Sequence, residues 1–284
     1  MPQKIIAACI QMNTQGDIHA NIAQAESLMR EAHGAGARYL ALPENAFFMR
    51  GDDAHAPVDY RMHDHPGLLR CQALARELKS WVLIGSIFVA LDDAFGDDIG
   101  KWANRSVLLN PAGEIVKSYD KIHLFDADFG DGECYRESER FVSGKAARLV
   151  DLPFGQLGMA ICYDVRFAKL FRDLARCGAV ALSIPAAFAQ RTGEAHWHVL
   201  LRARAIETGC YVIAPAQCGT HPGGRETFGH SMIIDPWGQI LAEASAKEVG
   251  YIIAEIDPIR VAQIRQQMPV LTHDRDYVLQ DYVI

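Results

Sequence analysis

No two cysteines in this chain have the Cys-X-X-Cys spacing. The seven that occur, Cys9, Cys71, Cys134, Cys162, Cys177, Cys210 and Cys218, are odd in number and irregularly placed. That argues against a disulfide framework and a zinc ribbon, and fits reduced thiols in a cytoplasmic chain. Long apolar runs are absent too. None approaches the roughly 20 residues needed to cross a bilayer, and the run at 5–10 is too short for the apolar core of a secretory leader. Basic charge is in deficit: 28 Lys and Arg stand against 35 Asp and Glu, a net charge of −7. A general nucleic-acid binder would have the opposite balance. No Pro/Gly/Ser-rich linker or low-complexity block divides the 284 residues, so a single domain over 1–284 is expected. Residues 268–284 form a polar-aromatic tail that we expect to pack on a partner subunit. The glycine-rich Gly219-Thr220-His221-Pro222-Gly223-Gly224 lacks the Lys-Ser/Thr ending of a phosphate-binding loop. No cofactor is expected.

Half the residues are hydrophobic, enough for a large core. Apolar, β-branched runs at 4–12, 39–42, 81–89, 156–161, 180–184 and 211–215 read as buried strands. Helical spacing appears at 22–33, stopped by Gly34-Ala35-Gly36, at 68–78, and at 194–208, stopped by Gly209. Phe167, Leu170, Phe171 and Leu174 share one helical face within 167–177. Hairpins are expected at Asn110-Pro111-Ala112-Gly113, Pro153-Phe154-Gly155 and Asp235-Pro236-Trp237-Gly238. The two turns of the form X-Pro-X-Gly hint at similar halves without making a firm repeat. Long polar stretches at 49–66 and 125–144 read as surface loops, and 92–100 as a hairpin tip. Hairpins mixed with helix–strand alternation exclude a purely parallel α/β wheel.

Three polar residues share one placement. Glu44, Lys121 and Cys162 each stand at or just past the end of an apolar strand. Strands lying side by side would bring them together at one edge of a sheet. A buried carboxylate can deprotonate a thiol, and an ammonium can stabilise both a thiolate and an oxyanion. The set suits acyl transfer through a thioester, although spacing alone leaves three unrelated residues as the alternative.

Longer blocks surround these residues. Leu42-Pro43-Glu44, then Tyr119-Asp120-Lys121-Ile122-His123-Leu124-Phe125-Asp126, then Gly158-Met159-Ala160-Ile161-Cys162-Tyr163-Asp164-Val165-Arg166-Phe167 resemble the signature blocks of the nitrilase superfamily of carbon–nitrogen hydrolases. The likeness runs from Ile5 to about Pro269. It implies an α/β fold, a four-layer αββα sandwich, that usually dimerises. It also implies Glu44 as general base, Lys121 as oxyanion stabiliser, Cys162 as nucleophile and the Tyr163 backbone N–H as an oxyanion donor. A supporting glutamate is implied within Arg136-Glu137-Ser138, at Glu137, with Glu133 and Glu139 as neighbouring alternatives.

The block from Gly193 to Thr208, together with Ala214-Pro215-Ala216-Gln217-Cys218-Gly219 and Arg225-Glu226-Thr227-Phe228-Gly229-His230-Ser231-Met232, resembles the Nit subfamily. Within it the likeness is to deaminated glutathione amidases more than to ω-amidases. The implied reaction is hydrolysis of the C–N amide bond of a small 2-oxo acid amide, releasing 2-oxoglutarate and cysteinylglycine. An ω-amidase or N-carbamoyl hydrolase with the same triad is the alternative. His198 departs from the subfamily, which more often has Glu there, as does Phe129-Gly130-Asp131-Gly132, where a Pro-Gly turn is usual.

Arg166, Arg191, Arg202 and Arg204 are candidates for a substrate carboxylate, because guanidinium binds carboxylates through paired bonds. Arg191, expected in a loop past a strand end, leads. Phe188 and Thr192 beside it complete the substrate-binding candidates, with Arg166. Trp197 is expected in the core and Glu207 paired with an Arg. His196-Trp197-His198 and His63-Asp64-His65 are read as a polar helix face and a solvated loop, not as metal ligands.

Overall fold

The computed structural model describes residues 2–50, 59–91, 96–130 and 132–278. Parts of the sequence expectations for 49–66, 92–100, Phe129-Gly130-Asp131-Gly132 and the tail lie outside them.

The first half runs β1 (Ile5–Gln11), α1 (Ile18–Gly34), β2 (Tyr39–Ala41), α2 (Pro66–Leu78), β3 (Trp81–Ala90), β4 (Trp102–Leu109) and β5 (Ile115–Asp120). Two short strands follow, β6 (Asp126–Asp128) and β7 (Cys134–Arg136). Then come β8 (Arg148–Leu152), β9 (Gly155–Met159), α3 (Ala168–Arg176), β10 (Ala179–Ser183), α4 (Gln190–Thr208) and β11 (Tyr211–Ala214). The chain continues through β12 (Cys218–Thr220), β13 (Glu226–Phe228), β14 (Met232–Ile234), β15 (Ile240–Glu243), β16 (Gly250–Ile256) and α5 (Pro258–Gln267).

Among the described residues, twelve strands build two six-stranded sheets, ordered β16-β1-β2-β3-β4-β5 and β15-β14-β11-β10-β9-β8. In the first, β1, β2 and β3 are parallel, and β16, β4 and β5 are antiparallel to their neighbours. In the second, β9, β10 and β11 are parallel, flanked by antiparallel β8, β14 and β15. The pairing pattern is the same in both. The Asn110-Pro111-Ala112-Gly113 and Asp235-Pro236-Trp237-Gly238 turns join corresponding strands, β4 to β5 and β14 to β15. The similar halves hinted at by those turns are thus a property of the sheets.

Strand alternation sorts the core into layers. From β1 and β2, Ala7, Cys9, Tyr39 and Ala41 point between the sheets, toward Phe154, Leu157 and Met159. Ala8, Ile10, Leu40 and Leu42 point the other way, onto Leu28, Met29, Leu68 and Leu74 of α1 and α2. With both faces covered, these strands must read as continuous apolar runs. On the far side α3 and α4 cover the second sheet through Leu170, Phe171, Leu174, Trp197 and Leu201. The order is helix, sheet, sheet, helix: the αββα sandwich expected. Each large side chain buried in it contributes about 1.5–3 kcal/mol.

Helix starts follow from local chemistry. Asp17 accepts from the His19 and Ala20 N–H groups at the head of α1. His65 is buried and caps α2 by accepting from the Leu68 N–H at 3.4 Å. Burial lowers its pKa to about 4, so it is a neutral cap, contrary to the solvated-loop reading. Arg191 belongs to the first turn of α4 and not to a loop, because α4 begins four residues before the expected position. The 125–144 stretch is also more ordered than a loop, since β6 and β7 pair within it. Trp197 is fully buried, as expected of a core residue.

Gly85 fixes where the chain passes after β2. A Cβ there would lie 2.1 Å from the Leu42 carbonyl oxygen and 2.4 Å from that of Pro43. Glycine inside a strand marks such a close backbone approach. Gly85→Ala is therefore expected to displace the Pro43-Glu44 segment and to lower unfolding free energy by about 1–3 kcal/mol in denaturant titration. An unchanged midpoint would mean that the segment yields without strain.

Candidate active site

Glu44 leaves β2 two residues beyond Leu42. Lys121 follows the last residue of β5, and Cys162 opens a short 3₁₀ turn, Cys162–Arg166, after β9. The three converge, but not by the route the sequence suggested. In the first sheet β2 and β5 are separated by β3 and β4, and β9 belongs to the second sheet. The residues meet because the two sheets are stacked, not because their strands are neighbours.

The centre of the cluster is Lys121 Nζ. It lies 2.8 Å from Glu44 Oε1 and 3.0 and 2.9 Å from the two carboxylate oxygens of Glu137. Glu44 and Lys121 are 3% and 2% exposed, so this is a buried network. Glu44 Oε2 accepts from the Ala187 N–H at 2.7 Å, and Cys162 borders the same cavity as this carboxylate. Glu137 Oε2 also accepts from the Phe125 N–H at 2.6 Å. Among the three glutamates of that stretch, Glu137 is the one on Lys121. Glu133 pairs with Arg191 at 3.4 Å.

Three residues that the sequence had not singled out hold this arrangement. Asn104, buried on β4, donates from Nδ2 to Glu44 Oε1 and to Glu137 Oε1, each at 3.0 Å. Asp164, two residues beyond Cys162, is fully buried. It accepts from the Ile161 N–H at 2.9 Å, the Tyr119 hydroxyl at 2.7 Å and the His123 N–H at 3.0 Å. Gln217 donates from Nε2 to the Glu44 carbonyl at 2.9 Å. Asn104 offered one signal, an amide in the middle of a strand, where Asn is depleted. Asp164 and Gln217 stood within the quoted blocks with no role attached.

Cys162 has φ of +46°, a left-handed conformation that costs a non-glycine residue strain. Its own N–H donates to the Pro185 carbonyl at 2.9 Å, which holds the sharp turn between strand and 3₁₀ turn. Tyr163 comes next, at the start of that turn, where N–H groups lack intrahelical partners.

Charge explains the protonation states. Burial pushes the Cys162 thiol well above its ordinary pKa, and the Glu44 carboxylate pushes it further, while Lys121 opposes both. Burial also works against a charged Glu44. The ammonium of Lys121, the Cys162 thiol and the Ala187 N–H outweigh it and hold the carboxyl below its usual value. Burial likewise opposes the Lys121 charge, but Glu137 and Glu44 raise its pKa above the ordinary lysine value. Two carboxylates on one ammonium leave a net charge of −1, so ionising the thiol at rest would add a second negative charge to a dry cluster.

A cavity of about 1050 Å³ opens over the cluster. Glu44, Lys121, Glu137, Cys162, Tyr163, Arg166, Phe188, Arg191 and Thr192 all line it. These nine residues therefore border one space, whereas the candidates Arg202 and Arg204 do not. Arg166 is bonded to His196 Nδ1 at 3.1 Å, and its guanidinium carbon lies 5.1 Å from the Phe188 ring centre. Arg202 and Arg204 serve structure. Arg202 donates to the Gly238 carbonyl, and Arg204 to the Val165 carbonyl and to Glu207. Thr192 is buried in the first turn of α4. Away from the cavity, His198 Nε2 and His230 Nδ1 both meet Glu243 Oε1, at 2.8 and 2.6 Å. His198 is thus part of a three-residue cluster and not only a polar helix face.

The carbon-nitrogen hydrolase family model matches residues 6–266. The chain belongs to the carbon-nitrogen hydrolase family. A protein of Synechocystis sp. named deaminated glutathione amidase is 43% identical over 271 residues, covering 94% of this chain and 97% of that protein. The NitFhit protein of C. elegans superposes with a TM-score of 0.87 at 36% identity, covering 96% of this chain and 66% of that one. A Saccharomyces cerevisiae member of branch 10 of the nitrilase superfamily superposes with a TM-score of 0.80 at 30% identity, covering 94% and 95%. Members of this family hydrolyse carbon–nitrogen bonds other than peptide bonds, which fits a carboxylate, an ammonium and a thiol facing one cavity. Among the described residues no helix is long and apolar enough to cross a membrane.

Proposed function

We propose that this protein is an amidase that cleaves deaminated glutathione to 2-oxoglutarate and cysteinylglycine through a cysteine thioester. The observation that carries the reading is the buried contact of Lys121 Nζ with Glu44 at 2.8 Å, with Cys162 bordering the same cavity. The substrate comes from relatives of that name at 37–43% identity over most of the chain.

Glu44, ionised at rest, takes the thiol proton as Sγ attacks the amide carbon. A thiol of raised pKa does not ionise beforehand, so proton transfer accompanies attack. The carbonyl oxygen becomes an oxyanion held by the Lys121 ammonium and the Tyr163 N–H. The C–N bond then breaks, and Glu44 returns its proton to the departing amine. Water enters, loses a proton to Glu44 and attacks the thioester. The acid leaves and the thiol is restored. Glu137 and Asn104 keep Lys121 and Glu44 in register. Phe188, Thr192, Arg166 and Arg191 border the bound substrate.

The protein acts as one domain, in the cytoplasm, as a homodimer or higher homo-oligomer. The start of the tail is held on α3, where Arg172 meets the Val270 carbonyl and Asp274, and its exposed Tyr277 and Val278 are the described part that meets a partner subunit in this reading. Its partner in the reaction is a small amide, not nucleic acid or membrane, and no cofactor or metal takes part.

A substrate panel tests the reading: deaminated glutathione, a short primary 2-oxo amide and a ureido acid, with released acid and amine measured by mass spectrometry. The highest kcat/KM is expected for deaminated glutathione. Faster turnover of the primary amide or the ureido acid would replace the reading with ω-amidase or carbamoyl hydrolase activity.

A further inference from the structure

Arg225 stands in the block Arg225-Glu226-Thr227-Phe228, to which the reaction above gives no role, yet it borders the same cavity as Cys162. It is held there by a built hairpin. Its carbonyl accepts from the His221 N–H at 2.8 Å, and β13, which it precedes, pairs with β12. His221 is itself buried, with Nδ1 2.8 Å from the Thr14 carbonyl oxygen and Nε2 2.7 Å from Thr227 Oγ1.

The side chain is only partly satisfied. One terminal nitrogen donates to the Ala187 carbonyl at 2.8 Å, and the guanidinium carbon sits 5.6 Å from the centre of the Tyr135 ring. Nε is buried and has no hydrogen-bond partner among the described residues. Among the described residues no carboxylate pairs with Arg225, whereas Arg105 has Asp120, Arg191 has Glu133 and Arg204 has Glu207. Buried guanidinium N–H groups are ordinarily matched, and two adjacent ones fit the two oxygens of a carboxylate.

We infer that Arg225 receives a carboxylate of the substrate and so selects amides that carry one at a fixed distance from the scissile bond. This rests on the amidase reading above and assigns its specificity. A competing role has a visible route: Ala187, whose carbonyl Arg225 holds, donates the N–H of its preceding peptide to Glu44 Oε2. A residue acting only through that peptide would serve every amide alike.

Deaminated glutathione has a carboxylate at each end. Three probes separate the cases: the parent compound and its two analogues with one or the other carboxylate converted to an N-methyl carboxamide. Release of the cysteinylglycine portion is followed with wild type, Arg225→Gln and Arg225→Lys, and thermal melts check folding. Wild type is expected to lose about ten- to hundredfold in kcat/KM on one analogue. Arg225→Gln is expected to lose about as much on the parent, chiefly in KM, and to treat that analogue within about threefold of the parent. The analogue that shows this identifies which end Arg225 holds. Arg225→Lys should fall between and carries the comparison if the Gln variant does not fold. A kcat loss equal across all three probes, or a wild type indifferent to both neutralisations, overturns the inference and leaves the amidase reading standing. No turnover of any probe by wild type overturns the substrate reading, and this inference with it.

Discussion

Cys162→Ala is expected to lose about 10⁴-fold or more in amide turnover while the protein keeps its fold. The size follows from the chemistry. Without the sulfur no thioester forms, and the remaining groups can only polarise the amide and orient water, which leaves a small residue of the original rate. The fold should tolerate the change because alanine meets the same backbone strain at φ +46° as cysteine does. The lost contacts are those of one buried sulfur, about 1 kcal/mol. Two measurements separate chemistry from folding. Intact-mass spectrometry of the wild type under brief substrate exposure should show an acyl adduct, absent from the variant, and melts of the two should nearly coincide. Equal turnover by both proteins would remove the nucleophile from the account.

How much of this site could be read in advance depended on the kind of residue. Glu44, Lys121 and Cys162 were legible because each interrupts an apolar strand end, and the longer blocks around them resolved which interruptions belong together. Their meeting across two stacked sheets was not legible. Strand order is a long-range property, and the same apolar runs suit neighbours in one sheet. Asn104 and Asp164 were missed for a related reason. A buried polar side chain is defined by its partners, and two of those of Asp164, His123 and Tyr119, lie 41 and 45 residues away along the chain. The pairs β6–β7 and β12–β13 were missed because three-residue strands are too short to show alternation. The sequence reads as a loop at Arg191 because Ala189 and Gln190 carry no capping signal. α4 starts there with no side-chain cap.

Replacing Lys121 with methionine is expected to lower turnover by about 10³-fold and to reverse the way stability responds to pH. The first effect is the loss of the charge facing the oxyanion. The second follows from what remains. Wild-type Glu44 has a folded pKa below its usual value, so its contribution to stability is fully present above the unfolded carboxyl value of about 4.3 and is lost as pH falls through the folded value. The Lys121 pKa is raised, so its contribution is fully present below the unfolded lysine value and persists across neutral pH. Without the ammonium, the largest opposing charge is gone, burial outweighs the remaining Cys162 and Ala187 contributions and pushes the Glu44 pKa up, and Glu137, bonded to the same Asn104 amide, adds like charge. A carboxyl whose folded pKa is raised loses stability as pH rises through the unfolded value. Near pH 7 the variant should therefore be about 3–5 kcal/mol less stable than wild type, the usual cost of stranding a buried charge. The gap should narrow toward pH 4.5. Melting curves of both proteins from pH 4.5 to 7.5 measure it. A gap constant across that range would mean that Lys121 holds the cluster by filling space and not by its charge, and the electrostatic reading of both the resting thiol and the oxyanion would then have no support.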